Sequence, residues 1–134
     1  MKKHTILWAD DDPDDLSLFK QILQELNQNY HIIEAENGTE ALQHLEQMKK
    51  NHALPDLVIL DINMPVMNGR DTLVKIKDDK QLQGLPVVVL TTSTSELDGM
   101  FCKKYGVERF IKPPSYIRLK DTLQNILNAT SINK

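Results

Sequence analysis

The sequence predicts an α/β domain built on a parallel sheet with helices on both faces. Three observations carry this. Short β-rich runs alternate five times with amphipathic helical stretches. Two of those runs, residues 57–60 and 86–90, are continuously apolar, as strands covered on both faces are. No internal repeat or low-complexity linker interrupts the pattern, and 134 residues are one domain's worth, so 1–134 reads as a single domain with its core over about 5–127.

The first strand covers about residues 4–9. Asp12-Pro13 then reads as a helix N-cap followed by proline at the first helical position, with Asp14 and Asp15 in the first turn, where the helix dipole favours acid. Leu16, Phe19, Ile22, Leu23 and Leu26 follow at helical spacing. After a second strand over about 31–35, Asn37-Gly38 reads as a turn, and Ala41, Leu42, Leu45 and Met48 give the second helix its apolar stripe. The third strand, 57–60, leads into a loop over 61–68, and a third helix runs from Gly69 to about Lys77. After the fourth strand, Ser93 and Glu96 match a capping box opening a helix near 95–105. Gly106 ends that helix, 107–111 form the fifth strand, and Pro113-Pro114-Ser115 opens a last helix with Leu119, Leu123, Ile126 and Leu127 facing inward.

The bulk composition excludes several function classes. Sixteen Lys and Arg stand against 19 Asp and Glu, a net charge of −3, so a broad nucleic-acid surface is not expected. Cys102 is the only cysteine, which excludes an internal disulfide and a cysteine-based zinc cage and reads as helix packing. No apolar run reaches the ~18 residues of a membrane span. The opening Met1-Lys2-Lys3-His4 leads into a short apolar stretch that meets acid at Asp10, unlike a signal peptide, so a cytoplasmic protein is the expectation.

In a parallel α/β sheet, ligands sit beyond the carboxyl ends of the strands, near the point where strand order reverses. Here Asp10, Asp11 and Asp12 follow the first strand, Asp61 the third, Thr91 and Thr92 the fourth, and Lys112 the fifth. Asp12 reads as capping. Asp10, Asp11 and Asp61 do not. Two unit charges at about 4 Å cost ~4 kcal/mol at an effective dielectric near 20, so such a cluster either takes up protons or binds a cation. Mg²⁺ suits it, because this ion takes one or two carboxylates plus phosphate oxygens and keeps several waters. A carboxylate closing a buried strand beside a metal is a nucleophile toward phosphorus, which is the reading for Asp61. Lys112 ends an apolar strand, held extended by Pro113, and can pair with the acids or with phosphate oxygens.

Taken together, Ile6-Leu7-Trp8-Ala9-Asp10-Asp11, Leu60-Asp61-Ile62-Asn63-Met64-Pro65 with Gly69, Thr91, and Lys112-Pro113 resemble the receiver domain of bacterial two-component response regulators. The resemblance covers about residues 5–127. It implies the flavodoxin-like doubly wound fold with strand order 2-1-3-4-5. It further implies that Asp61 is the phosphoacceptor, that Asp11 binds Mg²⁺ directly and Asp10 through water, and that the Asn63 carbonyl is the third protein ligand. Thr91 resembles the hydroxyl that swings toward the phosphoryl group, and Lys112 the residue that contacts it. The family's Lys–Pro bond is often cis, which would apply to Lys112–Pro113. One departure stands out: the family commonly has an aromatic switch residue three positions before the lysine, and here that position is Arg109, with Phe110 next.

The implied function is phosphoacceptance. A histidine kinase or phosphotransfer protein gives a phosphoryl group to Asp61. The face made by the fourth helix, fifth strand and fifth helix then binds a downstream effector differently, and a homodimer through that face is a further expectation. The chain would be no enzyme beyond catalysing its own phosphorylation and dephosphorylation. A haloacid-dehalogenase-type phosphatase needs a second Asp two residues after the nucleophile, where this chain has Asn63. A flavodoxin-like flavin carrier needs a Ser/Thr/Gly-rich phosphate loop, where this chain has Asp10 to Asp12. The remaining alternative is a pseudo-receiver, folded alike but never phosphorylated.

Overall fold

The computed structural model describes residues 3–26 and 29–130. Met1 and Lys2, used above against a signal peptide, and 131–134 at the chain's end lie outside the described residues. The element order is β1 (His4–Ala9), α1 (Pro13–Leu26), β2 (Tyr30–Ala35), α2 (Gly38–Lys50), β3 (Leu57–Leu60), α3 (Gly69–Asp78), β4 (Val87–Thr91), α4 (Glu96–Lys104), β5 (Glu108–Ile111) and α5 (Tyr116–Thr130). The five strands form one sheet in the order β2-β1-β3-β4-β5, and every pairing is parallel.

The pleat divides the core in two. Ile6, Trp8, Leu57, Ile59, Val88 and Leu90 pack against the inner stripes of α1 and α5, with Phe110 alongside. The alternate residues Leu7, Ala9, Val58, Leu60, Val87 and Val89 meet Ala41 and Leu45 of α2, Leu73 and Ile76 of α3, and Cys102 of α4. Period-2 alternation within continuously apolar strands thus serves two helical layers at once. Trp8 stacks on Phe19, with ring centroids 4.4 Å apart.

Two sequence expectations need correction. Asn37-Gly38 is not a turn but the start of α2. The Asn37 side chain caps the helix by accepting from the Glu40 amide at 2.8 Å. Gly38 is required by close approach, because a Cβ there would lie 2.8 Å from the Met67 carbonyl oxygen. The second correction concerns α4. Its cap is Ser95, which accepts from the Asp98 amide at 3.4 Å, while the Ser93 hydroxyl instead donates to the Asp98 carboxylate at 2.6 Å. β1 and β3 fall where expected, and the other boundaries move by no more than three residues. Among the described residues no helix is long and apolar enough to cross a membrane.

Candidate functional site

Three strand ends place the site. The Asp10 amide donates to the Ala35 carbonyl at 3.0 Å, the Asp61 amide to the Ala9 carbonyl at 2.9 Å, and the Lys112 amide to the Thr91 carbonyl at 2.8 Å. Each bond extends the sheet ladder one residue beyond the strand, so the backbones of Asp10, Asp61 and Lys112 are held by the sheet rather than by loops. The Asp10 side chain then caps the turn into α1 by accepting from the Asp12 amide at 2.9 Å, and Asp12 caps α1 through the Asp14 amide at 2.9 Å.

Carboxylate oxygens of Asp10, Asp11 and Asp61 lie within 4.8 Å of one another. Asp10 and Asp61 are buried, and Asp11 is exposed with no hydrogen-bond or ion-pair partner among the described residues. Lys112 reaches into the cluster, its Nζ lying 2.5 Å from Asp10, 3.1 Å from Asp61 and 3.3 Å from Asp15. Burial raises the Asp10 carboxyl above its usual range, even though the hydrogen bond from Lys112 pulls the other way. Burial would likewise depress the Lys112 ammonium. The hydrogen bond to Asp10 and the charges of Asp61 and Asp10 outweigh it, so Lys112 lies above its ordinary value and stays charged.

One ammonium therefore faces three clustered carboxylates and a fourth nearby. The donor set is all hard oxygen, two of its members are shielded from water, and the third is unpartnered. A small divalent cation fits this chemistry, with Asp10, Asp11 and Asp61 as the residues that would hold it. Asn63 lies exposed two residues past Asp61, and its carbonyl accepts no hydrogen bond among the described residues.

The other expected residues fall out as follows. Thr91 ends β4 fully buried, and its Oγ1 accepts from the Ser93 amide at 3.2 Å rather than bonding to Asp61. The Lys112–Pro113 peptide is trans, not cis, as no described peptide bond is cis. Trans is the intrinsically favoured isomer even before proline, and the trans backbone already carries Lys112 from its ladder bond to the carboxylates. Sequence reasoning missed Asp15 as a partner of Lys112, because its place in the first turn of α1 already had a capping explanation. Arg109, at the position expected to be aromatic, hydrogen-bonds the main chain before α4, and Phe110 packs toward α1 and α5.

The loop after β3 carries strain beside the acid cluster. Met67 donates to the Pro65 carbonyl at 2.7 Å, closing a three-residue turn around Val66 at φ 66°. Gly69 closes the same loop through its amide bond to the Ile62 carbonyl at 2.8 Å. A cleft of about 300 Å³ opens beside Lys112, walled by Asp15, Phe19, Thr92, Pro113 and Tyr116.

Comparison with known proteins agrees with this geometry. Residues 6–124 match the family model of the response regulator receiver domain. The response regulator Rcp1 of Synechocystis sp. is 36% identical over 95 residues, which span 69% of this chain and 65% of Rcp1. Among solved structures, the phosphorylated cyanobacterial phytochrome response regulator RcpA superposes with a TM-score of 0.86 at 29% identity, covering 94% of this chain and 92% of that one. The Mn²⁺-bound form of Rcp1 superposes with a TM-score of 0.81 at 29% identity, covering 93% and 92%.

Proposed function

The chain belongs to the receiver-domain family of response regulators, and from that premise we propose that Asp61 accepts a phosphoryl group in a reaction that requires Mg²⁺. The observation that carries the proposal is the convergence of Asp10, Asp11 and Asp61 within 4.8 Å, with Lys112 3.1 Å from Asp61. A carboxylate oxygen of Asp61 attacks phosphorus, an acyl phosphate forms, and the donor leaves with the bonding pair. The other Asp61 oxygen stays on the Ile62 amide at 2.7 Å or on Lys112, which fixes the attack direction. Lys112 supplies positive charge to the phosphoryl oxygens. Bound Mg²⁺ supplies further positive charge there and relieves the repulsion among the acids. Asp10, Asp11 and Asp61 would hold the cation, with the Asn63 backbone carbonyl as a further protein ligand.

The phosphodonor is a histidine kinase or a phosphotransfer protein, and the reaction takes place in the cytoplasm. The chain acts on no substrate but its own carboxylate. The product adds roughly −1.5 to −2 charge at one spot, enough to bias a two-state element read by an effector or a second copy on the face of α4, β5 and α5. The pseudo-receiver alternative would leave the full set of Asp10, Asp11, Asp61, Thr91 and Lys112 without a task.

Intact-mass measurement after incubation with acetyl phosphate tests this. A Mg²⁺-dependent gain of one phosphoryl mass, absent in Asp61→Asn, is the expected result. No adduct with any phosphodonor refutes the proposal.

A further inference from the structure

The loop between Thr91 and α4 is fastened by one side chain from the neighbouring strand, and the chemistry above makes no use of it. Nη1 of Arg109, on β5, donates to the Ser95 carbonyl at 2.7 Å and the Ser93 carbonyl at 3.3 Å. Ser93 is engaged from every side. Its amide donates to Thr91 Oγ1 at 3.2 Å, its hydroxyl donates to Asp98 at 2.6 Å, and its carbonyl accepts from Arg109. Asp98 is buried on α4 and also accepts from Arg70 of α3 at 2.7 Å. The guanidinium lies against Gly99, where a Cβ would fall 2.9 Å from Nη2. These contacts run unbroken from Thr91 to the first turns of α4, where Leu97 and Met100 stand exposed.

We propose that Arg109 is a latch that holds residues 92–95 and the start of α4 in the resting arrangement, and that loading Asp61 releases it through Thr91. The inference rests on the phosphoacceptor reading of Asp61. Thr91 Oγ1 is the acceptor for the Ser93 amide. When that hydroxyl turns to donate to a phosphoryl oxygen, the Ser93 amide loses its partner, and the Ser93 carbonyl leaves Arg109 Nη1 with it. Charge-assisted bonds to carbonyls are about twice as strong as neutral ones, and here the single nitrogen Nη1 serves both carbonyls. An aromatic ring at position 109 offers no donor to them, so coupling here is by hydrogen bond to the main chain. Arg109 is a positioning residue, since it touches neither Asp61 nor the cation site.

Hydrogen exchange of segment 92–100, measured on the full chain with and without Mg²⁺ and beryllofluoride as the phosphoryl mimic, tests the latch. In the unvaried chain, beryllofluoride should speed exchange of this segment about tenfold, equivalent to ~1.4 kcal/mol. In Arg109→Met the resting segment should already exchange about tenfold faster, with less than a twofold further response, while exchange of β1 and β3 stays unchanged. Arg109→Lys, which keeps a charged donor but on a shorter side chain that does not reach over Gly99 in the same way, should fall between. Gly99→Ala pushes on the guanidinium and should reproduce Arg109→Met, with the double variant no faster than either single one. A merely structural arginine would instead speed exchange across the whole chain. Resting exchange in Arg109→Met equal to the unvaried chain, or a full response to beryllofluoride in that variant, overturns the latch. If the unvaried chain binds no beryllofluoride, the Asp61 reading falls and the release step with it, while the resting-state comparison still decides whether Arg109 holds the loop.

Discussion

Removing the ammonium of Lys112 is the perturbation that most directly questions the site. Lys112→Met keeps the apolar stem and deletes only the charge. It leaves Asp10 and Asp61, with side chains 1% and 10% exposed, facing each other without a cation. Carboxylate oxygens at their 4.8 Å limit repel by ~3.5 kcal/mol at an effective dielectric near 20. On the same scale the lost attraction between Lys112 and Asp61 at 3.1 Å is ~5 kcal/mol. Against this, burying an ammonium costs several kcal/mol, so the net loss is expected at about 3 kcal/mol, the low end for breaking a buried pair. With a urea slope of about 2 kcal/mol/M, the unfolding midpoint in EDTA should fall by about 1.5 M. Mg²⁺ then takes over the ammonium's role. At a hundredfold excess over Kd it returns ~2.7 kcal/mol, and the variant, with its acids uncompensated, should gain more from the ion than the unvaried chain does. Acid works in the same direction. Asp10 is raised in the folded state by burial, so its protonation favours the native form, and stability is gained as pH falls through that raised value. The cost of Lys112→Met should therefore shrink as pH drops toward the ordinary carboxylate range. An unchanged urea midpoint in EDTA would refute the compensation argument. Equal Mg²⁺ stabilisation of both proteins would refute the idea that ion and ammonium share the same carboxylates.

Two further predictions concern the loop that carries Asp61. Gly69→Ala would put a Cβ 2.1 Å from the Asp61 carbonyl oxygen, a backbone atom that cannot move without displacing the nucleophile; urea unfolding should show a loss of about 3 kcal/mol, and a loss below about 1 kcal/mol would contradict it. Val66→Gly should stabilise the chain. Val66 is β-branched, 83% exposed and at φ 66°, so relief of ~1–2 kcal/mol of strain exceeds the ~0.5–1 kcal/mol that glycine's added freedom costs, and a lowered melting temperature would show the turn to be unstrained.

What the sequence discloses, and what it conceals, divides along a physical line. The sheet was legible because burial on both faces leaves continuous apolar runs at 57–60 and 86–90. The site was legible because parallel strands all deliver their carboxyl ends to one edge, so Asp10, Asp61, Thr91 and Lys112 announce themselves by following strands. The misses are places where one local pattern serves two geometries. Asn37-Gly38 suits a turn and a helix cap equally, and the choice is made by the Met67 carbonyl, distant in sequence, pressing on Gly38. Ser93 and Ser95 both precede an acid by three residues, and the tie is broken because Asp98 is already held by Arg70 and Ser93. Asp15 had a sufficient explanation in the helix dipole, which hid its contact with Lys112. Arg109 was visible only as a departure, because its targets are main-chain carbonyls and no side-chain pattern encodes those. Its one trace in the sequence was Gly99. Glycine inside a helix costs about 0.5–1 kcal/mol relative to alanine, and α4 has a reason to bear that cost only if something must lie where the Cβ would be. The guanidinium is that something, so the two positions, ten apart in sequence, are one structural decision.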